Sequence, residues 1–178
     1  MSDVLRAIPT AAYPLGLGLL TTSSMFFGNV GLSLTGPLPI IRGQIGTAAA
    51  RLSPAQKLAV WSAFFDEATN YIVGGTLLSA ALHLSAAALL PTRSLQVLAA
   101  TSATISLTVL PYTGVFVLPT INALKALEKK AAPELSPAEG EEATRRIAQW
   151  DARHKVRFAF YAPAWAAGLA ALVGVLAL

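Results

Sequence analysis

Cysteine is absent from the 178-residue sequence. That absence excludes a disulfide scaffold, a thiolate nucleophile and any cysteine-ligated metal, and it leaves the redox compartment open. Histidine is nearly absent too: the two residues, His83 and His154, lie far apart in the chain, which leaves a zinc or haem site unsupported. Charge is scarce. Only 12% of residues are charged, about half of the roughly 25% in an ordinary soluble domain. This excludes an ordinary cytosolic enzyme, a nucleic-acid reader and a disordered tail. No glycine-rich phosphate loop follows a strand, and no serine sits in a nucleophile elbow. Any catalysis is therefore expected to be acid–base and electrostatic, with no metal and no bound redox cofactor. What is present is apolar surface: 54% of residues are hydrophobic, and mean hydropathy is +0.59. The net charge of +4 reads as membrane topology, because the positive charges fall between long apolar stretches.

Four stretches are long and apolar enough to cross a hydrocarbon core, which takes about 20 helical residues. They lie near residues 13–41, 70–90, 94–124 and 156–178. The first has no basic n-region and is too long for a signal-peptide core, so it is expected to be a retained span. Arg6 and Arg93 lie on one side of this arrangement and the other eleven basic residues on the opposite side. The positive-inside rule then places both charged loops in the cytoplasm and both termini outside or in a lumen. The expected fold class is all-α, an integral membrane four-helix bundle forming a single domain over residues 1–178.

Both charged loops contain helix starts. Ser53-Pro54-Ala55-Gln56 and Ser136-Pro137-Ala138-Glu139 each pair a capping serine with a Gln or Glu three residues on. Helices two and four are thus expected to begin in the cytoplasm and run into the membrane. Glu141 with Arg145 and Glu142 with Arg146 are spaced as favourable i,i+4 pairs. Pro163 predicts a kink in helix four, and residues 131–136 a hinge. Pro111 and Pro119 interrupt span three. Gly16, Gly18, Gly28, Gly31, Gly74, Gly75, Gly168 and Gly174 sit at spacings that let helices approach closely in lipid.

Polar groups are costly in such a chain and mark where function lies. Trp150, His154, Arg157 and Tyr161 fall at i, i+4, i+7 and i+11, one stripe of helix four. An imidazole, a permanent cation and two aromatic faces would suit a flat anionic aromatic ligand. The same residues would also serve as interface anchors, with His154 a solvated bystander. Asp66 and Glu67 either pair with Arg42, Lys125 or Arg157 in a polar mouth or face water. Asn70 and Asn122 each need a partner inside a span. His83, deeper in span two, reads as a hydrogen-bonded helix contact.

Several segments together resemble the anthrone oxygenase family. They are Trp61 ahead of Asn70-Tyr71-Ile72-Val73-Gly74, the run Pro111-Tyr112-Thr113 followed by Leu118-Pro119-Thr120-Ile121-Asn122-Ala123-Leu124, and Trp150-x3-His154-x2-Arg157. The resemblance covers most of the chain. It implies a small four-span membrane protein of aromatic polyketide pathways that oxidises an anthrone to a quinone with molecular oxygen, without metal or flavin. Carried onto this sequence, it implies His154 as base and Arg157 as stabiliser of the substrate anion. Trp150 and Tyr161 become stacking walls, Asn70 and Asn122 hydrogen-bond donors, and Tyr112 and Trp61 further lining residues. The partners implied are membrane lipid, a hydrophobic aromatic small molecule and oxygen, with no nucleic acid and with self-association open. A non-catalytic membrane scaffold is the competing reading, and it would leave His154 and Arg157 pointing to water. A transporter is weaker, since no inverted repeat is visible.

Overall fold

A computed structural model describes residues 8–45, 52–130 and 135–178, and every regular element in it is helical. In chain order these are α1 (Ala12–Leu34), α2 (Pro37–Ile41), α3 (Pro54–Leu89), α4 (Arg93–Tyr112), a π-helical turn (Thr113–Val117), α5 (Leu118–Lys130), α6 (Pro137–Val156) and α7 (Phe158–Leu176). They form four helices long and apolar enough to cross a membrane: Ala12–Ile41, Pro54–Leu89, Arg93–Lys130 and Pro137–Leu176. The last three have 36, 38 and 40 residues, or about 54–60 Å at 1.5 Å per residue. A hydrocarbon core is about 30 Å thick, so each runs well beyond it. Arg6, Arg51 and residues 131–134 of the expected hinge lie outside the described residues.

Local chemistry explains the boundaries. Ser136 Oγ accepts from the Glu139 amide while the Glu139 carboxylate accepts from the Ser136 amide, at 3.1 Å. At α3, Ser53 and Gln56 make the same reciprocal pair, at 2.9 and 3.3 Å. Both capping boxes are as expected. The charge pairs on α6 differ in one respect: Arg146 pairs with Glu142, but Arg145 turns to Glu142 as well, at i,i+3, instead of Glu141. One carboxylate thus serves two guanidinium groups. Helix four breaks at Arg157, where the chain makes a turn between α6 and α7. Pro163 lies inside the continuous α7; there it removes only one ladder hydrogen bond, that to Ala159. Helix α2 ends in a Schellman cap, with Gly43 at φ 67° and the amides of Gly43 and Gln44 donating to the carbonyls of Ile40 and Pro39. This cap fixes the backbone at Arg42.

Between Pro111 and Pro119 span three winds as a π turn, and the Leu118 amide donates to the Thr113 carbonyl five residues back. Each proline withholds an amide from the α ladder. Arg153 of α6 braces the turn, its Nη1 donating to the Phe116 carbonyl at 2.9 Å and to Thr120 Oγ1 at 2.6 Å.

The contacts divide the chain into two compact units. Unit one comprises Met1–Gly28, Ile72–Val109 and Phe158–Leu178. Its core draws Ala11 and Leu15, Ala86 and Leu90, Leu95 and Ala99, and Ala171 and Val175 from four helical segments. Tyr161 packs in it against Met25 and Val109. His83 is fully buried here and donates from Nδ1 to the Ser79 carbonyl at 2.8 Å, the helix contact its position predicted. Its ring occupies a slot between two glycines. A Cβ on Gly18 would come within 2.8 Å of the imidazole, and one on Gly168 within 2.6 Å. Gly75 and Gly174 likewise admit Met25 and Leu95, whereas Gly16, Gly28, Gly31 and Gly74 have open space where a Cβ would stand. Close approach therefore accounts for half of the glycines expected to provide it.

Unit two comprises Asn29–Tyr71 and Leu110–Arg157. Its core joins Leu38 and Ile41, Leu58 and Trp61, Val117, Ile121 and Leu124, and Ala143, Ile147 and Trp150. Each unit is thus a packed helical bundle built on the same principle.

Candidate functional site

Three of the four residues singled out on helix four, Trp150, His154 and Arg157, lie in unit two. Helix α6 buries one face, formed by Gly140, Ala143, Ile147, Trp150, Asp151 and His154, a repeat of three and four residues. His154 is 3% exposed and Arg157, at the C-terminal end of α6, 5%. Neither is a solvated anchor. The imidazole of His154 lies parallel to the Trp150 indole, with ring centroids 4.9 Å apart and an interplanar angle of 12°. Trp61 meets Trp150 edge-to-face at 5.8 Å, and Phe64 and Phe65 do so at 6.4 Å. Trp150 is therefore a platform under His154 and not the open stacking wall expected from the sequence. Such ring pairs contribute about 0.5–1.5 kcal/mol each beyond area burial. They hold the imidazole plane in place.

Two donors stand ready in this cluster. The indole N–H groups of Trp61 and Trp150 are both buried and have no hydrogen-bond acceptor among the described residues. A buried unpaired donor costs about 1–3 kcal/mol, and an oxygen-bearing ligand would recover that cost.

Asp151 is the residue that sequence reasoning missed. It is 1% exposed, and its Oδ2 receives Arg42 Nη1 and, at 2.9 Å, Lys155 Nζ. Its Oδ1 has no donor among the described residues. The signal was present: Asp151 continues the 143–147 repeat onto the same face as His154. A carboxylate on a helix's buried face needs cations, and these come from four residues on and from the end of α2. Arg42 consequently pairs with Asp151, whereas Asp66 pairs with Lys125 at 2.7 Å. Lys125 also donates to Ser62, reaches Glu128 at 3.3 Å, and lies 6.0 Å from the Trp61 ring and 5.8 Å from the Phe65 ring. Glu67 is exposed.

The structure does not assemble every expected site residue. Asn70 and Asn122 are both exposed on their helices; the buried amide of unit two is Asn29. Tyr161 belongs to unit one. Tyr112 does lie in unit two, where its hydroxyl donates to the Arg153 carbonyl at 3.0 Å and its ring leans on Phe116 at 5.3 Å. Among the described residues no three His, Asp or Glu side chains are placed to hold a metal ion. Chemically the cluster offers a buried imidazole, a buried guanidinium, two indole donors and a buried carboxylate held by two partly exposed cations.

A family model described as anthrone oxygenase matches residues 61–167, a stretch that includes Trp61, Tyr112, Trp150, Asp151, His154 and Arg157. No curated protein and no solved structure matches the chain.

Proposed function

Because the chain belongs to the anthrone oxygenase family, we propose that it oxidises an anthrone-like polycyclic aromatic to the quinone with molecular oxygen, using no metal or organic cofactor. The observation that carries this reading is the burial of His154 on Trp150, which itself meets Trp61, with Arg157 buried three residues further on, all inside the matched segment. A scaffold has no use for a histidine and an arginine shielded from water.

The chemistry needs little beyond these groups. An anthrone carries a CH2 between two aromatic rings, opposite a ring carbonyl. His154 removes one of its protons, and the electron pair delocalises onto the carbonyl oxygen as a phenolate-like anion. Arg157 stabilises that anion in a site of low polarity. The anion passes one electron to oxygen, and the substrate radical and superoxide combine to form a C–O bond. The peroxide takes the first proton back from His154, and removal of the second proton from the same carbon then breaks the O–O bond, making the new carbonyl and releasing hydroxide. Hydroxide and the proton leave as water, so anthrone plus oxygen gives quinone plus water. Trp61 and Trp150 donate to substrate oxygens, the part first assigned to Asn70 and Asn122. Trp150 also positions His154. The substrate partitions into the bilayer, and the charged ends of the helices face the cytoplasm.

Oxygen uptake by the purified protein with an anthrone, with metal content assayed alongside, tests this. Stoichiometric uptake and quinone formation in metal-free protein are expected. No uptake above the spontaneous rate, or uptake that tracks bound metal, would overturn it.

A further inference from the structure

Unit two holds a cavity of about 90 Å³ lined by Ile41, Arg42, Lys57, Thr144, Ile147 and Ala148. At roughly 30 Å³ per water it has room for about three waters, too little for fused rings but enough for one tetrahedral anion. Its lining contains two cations and no carboxylate. Buried Ile41 and Ile147 form an apolar floor, and the Thr144 hydroxyl is committed to the Gly140 carbonyl at 2.9 Å. Recognition therefore falls on Arg42 and Lys57.

Arg42 is held in place before any ligand arrives. The Schellman cap at Gly43 fixes its backbone, and buried Asp151 takes Nη1. The remaining guanidinium N–H groups stay available in their planar fork. Asp151 is already shared with Lys155, and Lys57 has no ion pair among the described residues. Two cations already share the one buried acid, and Lys57 adds a further positive charge to the lining of a cavity of anion size. A phosphate group suits it best, since it presents several acceptor oxygens to a fork and a point charge at once. We propose that Arg42 and Lys57 form a binding site for one phosphate group, borne by a lipid headgroup or free in solution. The inference is independent of the oxygenase reading.

The test uses the purified full-length chain in detergent. One arm titrates inorganic phosphate calorimetrically. The other equilibrates the protein with mixed micelles of phosphatidylglycerol and phosphatidylcholine and reads retained lipid by native mass spectrometry. Preferential retention of phosphatidylglycerol without phosphate binding identifies a headgroup; saturable phosphate binding without lipid preference identifies the free anion. Either supports the site, provided Lys57→Gln weakens binding at least tenfold while Arg145→Gln, at an exposed surface position, leaves it unchanged. Arg42→Gln should do the same as Lys57→Gln, but it also strips Asp151 of a partner, so Lys57→Gln decides if that variant misfolds. Absence of binding in both arms, or binding unchanged by Lys57→Gln, overturns the proposal.

Discussion

His154 and His83 are the two histidines of the chain, and the structure gives them different work. If His154 takes the substrate proton, His154→Gln should lower turnover by about 10²–10⁴. The reading of His154 as a solvated bystander does not hold, since its ring is buried on Trp150. A glutamine, which keeps some of the volume, is therefore the fairer substitution than alanine. Arg157→Lys should retain only part of the activity, as an ammonium cannot present a planar fork. His83 should instead govern stability. Gly168→Ala places a methyl 2.6 Å from its Nε2, and overpacking of this kind costs about 1–3 kcal/mol. Combining it with His83→Ala should recover part of that loss in thermal unfolding, a coupling that independent sites would not show. The sequence made His83 readable as a helix contact, but it could not orient Asn70 or Asn122. In a membrane helix both the lipid side and the bundle side are apolar, so the 3.6-residue pattern that marks the buried face of a soluble helix is missing.

Elements with water-exposed starts were more legible, because polar caps and charge spacing are local signals. Ser136→Ala should cost about 1 kcal/mol, the usual worth of a side-chain N-cap, read by denaturant unfolding in detergent. Hydrogen bonds from the Ser136 side chain and then its backbone hold the Glu139 carboxyl below its ordinary range. A lowered folded-state pKa means the cap's ionic part is present above the unfolded pKa and disappears as pH falls through the folded one. The penalty of Ser136→Ala should thus narrow as pH falls from neutral through the carboxylate range. An unchanged penalty would mean that the carboxylate adds nothing to the cap. The break at Arg157 was not legible, since the nearest proline signal, Pro163, lies in the second turn of α7. The burial of Asp151 was legible in the helix repeat, but its pairing with Arg42, which joins positions 109 apart in sequence, was not.

For the molecule as a whole, the number and order of spans followed directly from apolar length: the first and third expected stretches fall inside observed helices, and the second and fourth overrun theirs by one and two residues. Orientation rests on the two-to-eleven division of basic residues. The cysteine-free sequence is a clean background for testing it. In sealed cells, a membrane-impermeant maleimide should label Leu178→Cys from outside and leave Lys129→Cys untouched until the membrane is opened. The reverse pattern would invert the topology. The division into two units was not drawn from the sequence, although composition changes along the helices that serve both, with charged residues crowded into Asn29–Tyr71 and Leu110–Arg157.

The π turn at Thr113–Val117 has one more consequence, for changes in chain length. Tyr112 and Val117 both face the core of unit two although five residues apart, while Phe116, the partner of Tyr112 in an ordinary α-helix, is 55% exposed. Removing Gly114 would leave Tyr112 and Val117 four apart, the spacing a plain α-helix needs to keep both inside. That deletion should fold, forfeiting chiefly the bond from Arg153 to the Phe116 carbonyl. Deleting Ala123 instead rotates all that follows by about 100° and turns Leu124 away from its neighbours. The turn thus stores one surplus residue, and it is the place in this helix where the gene can lose a codon and keep its register.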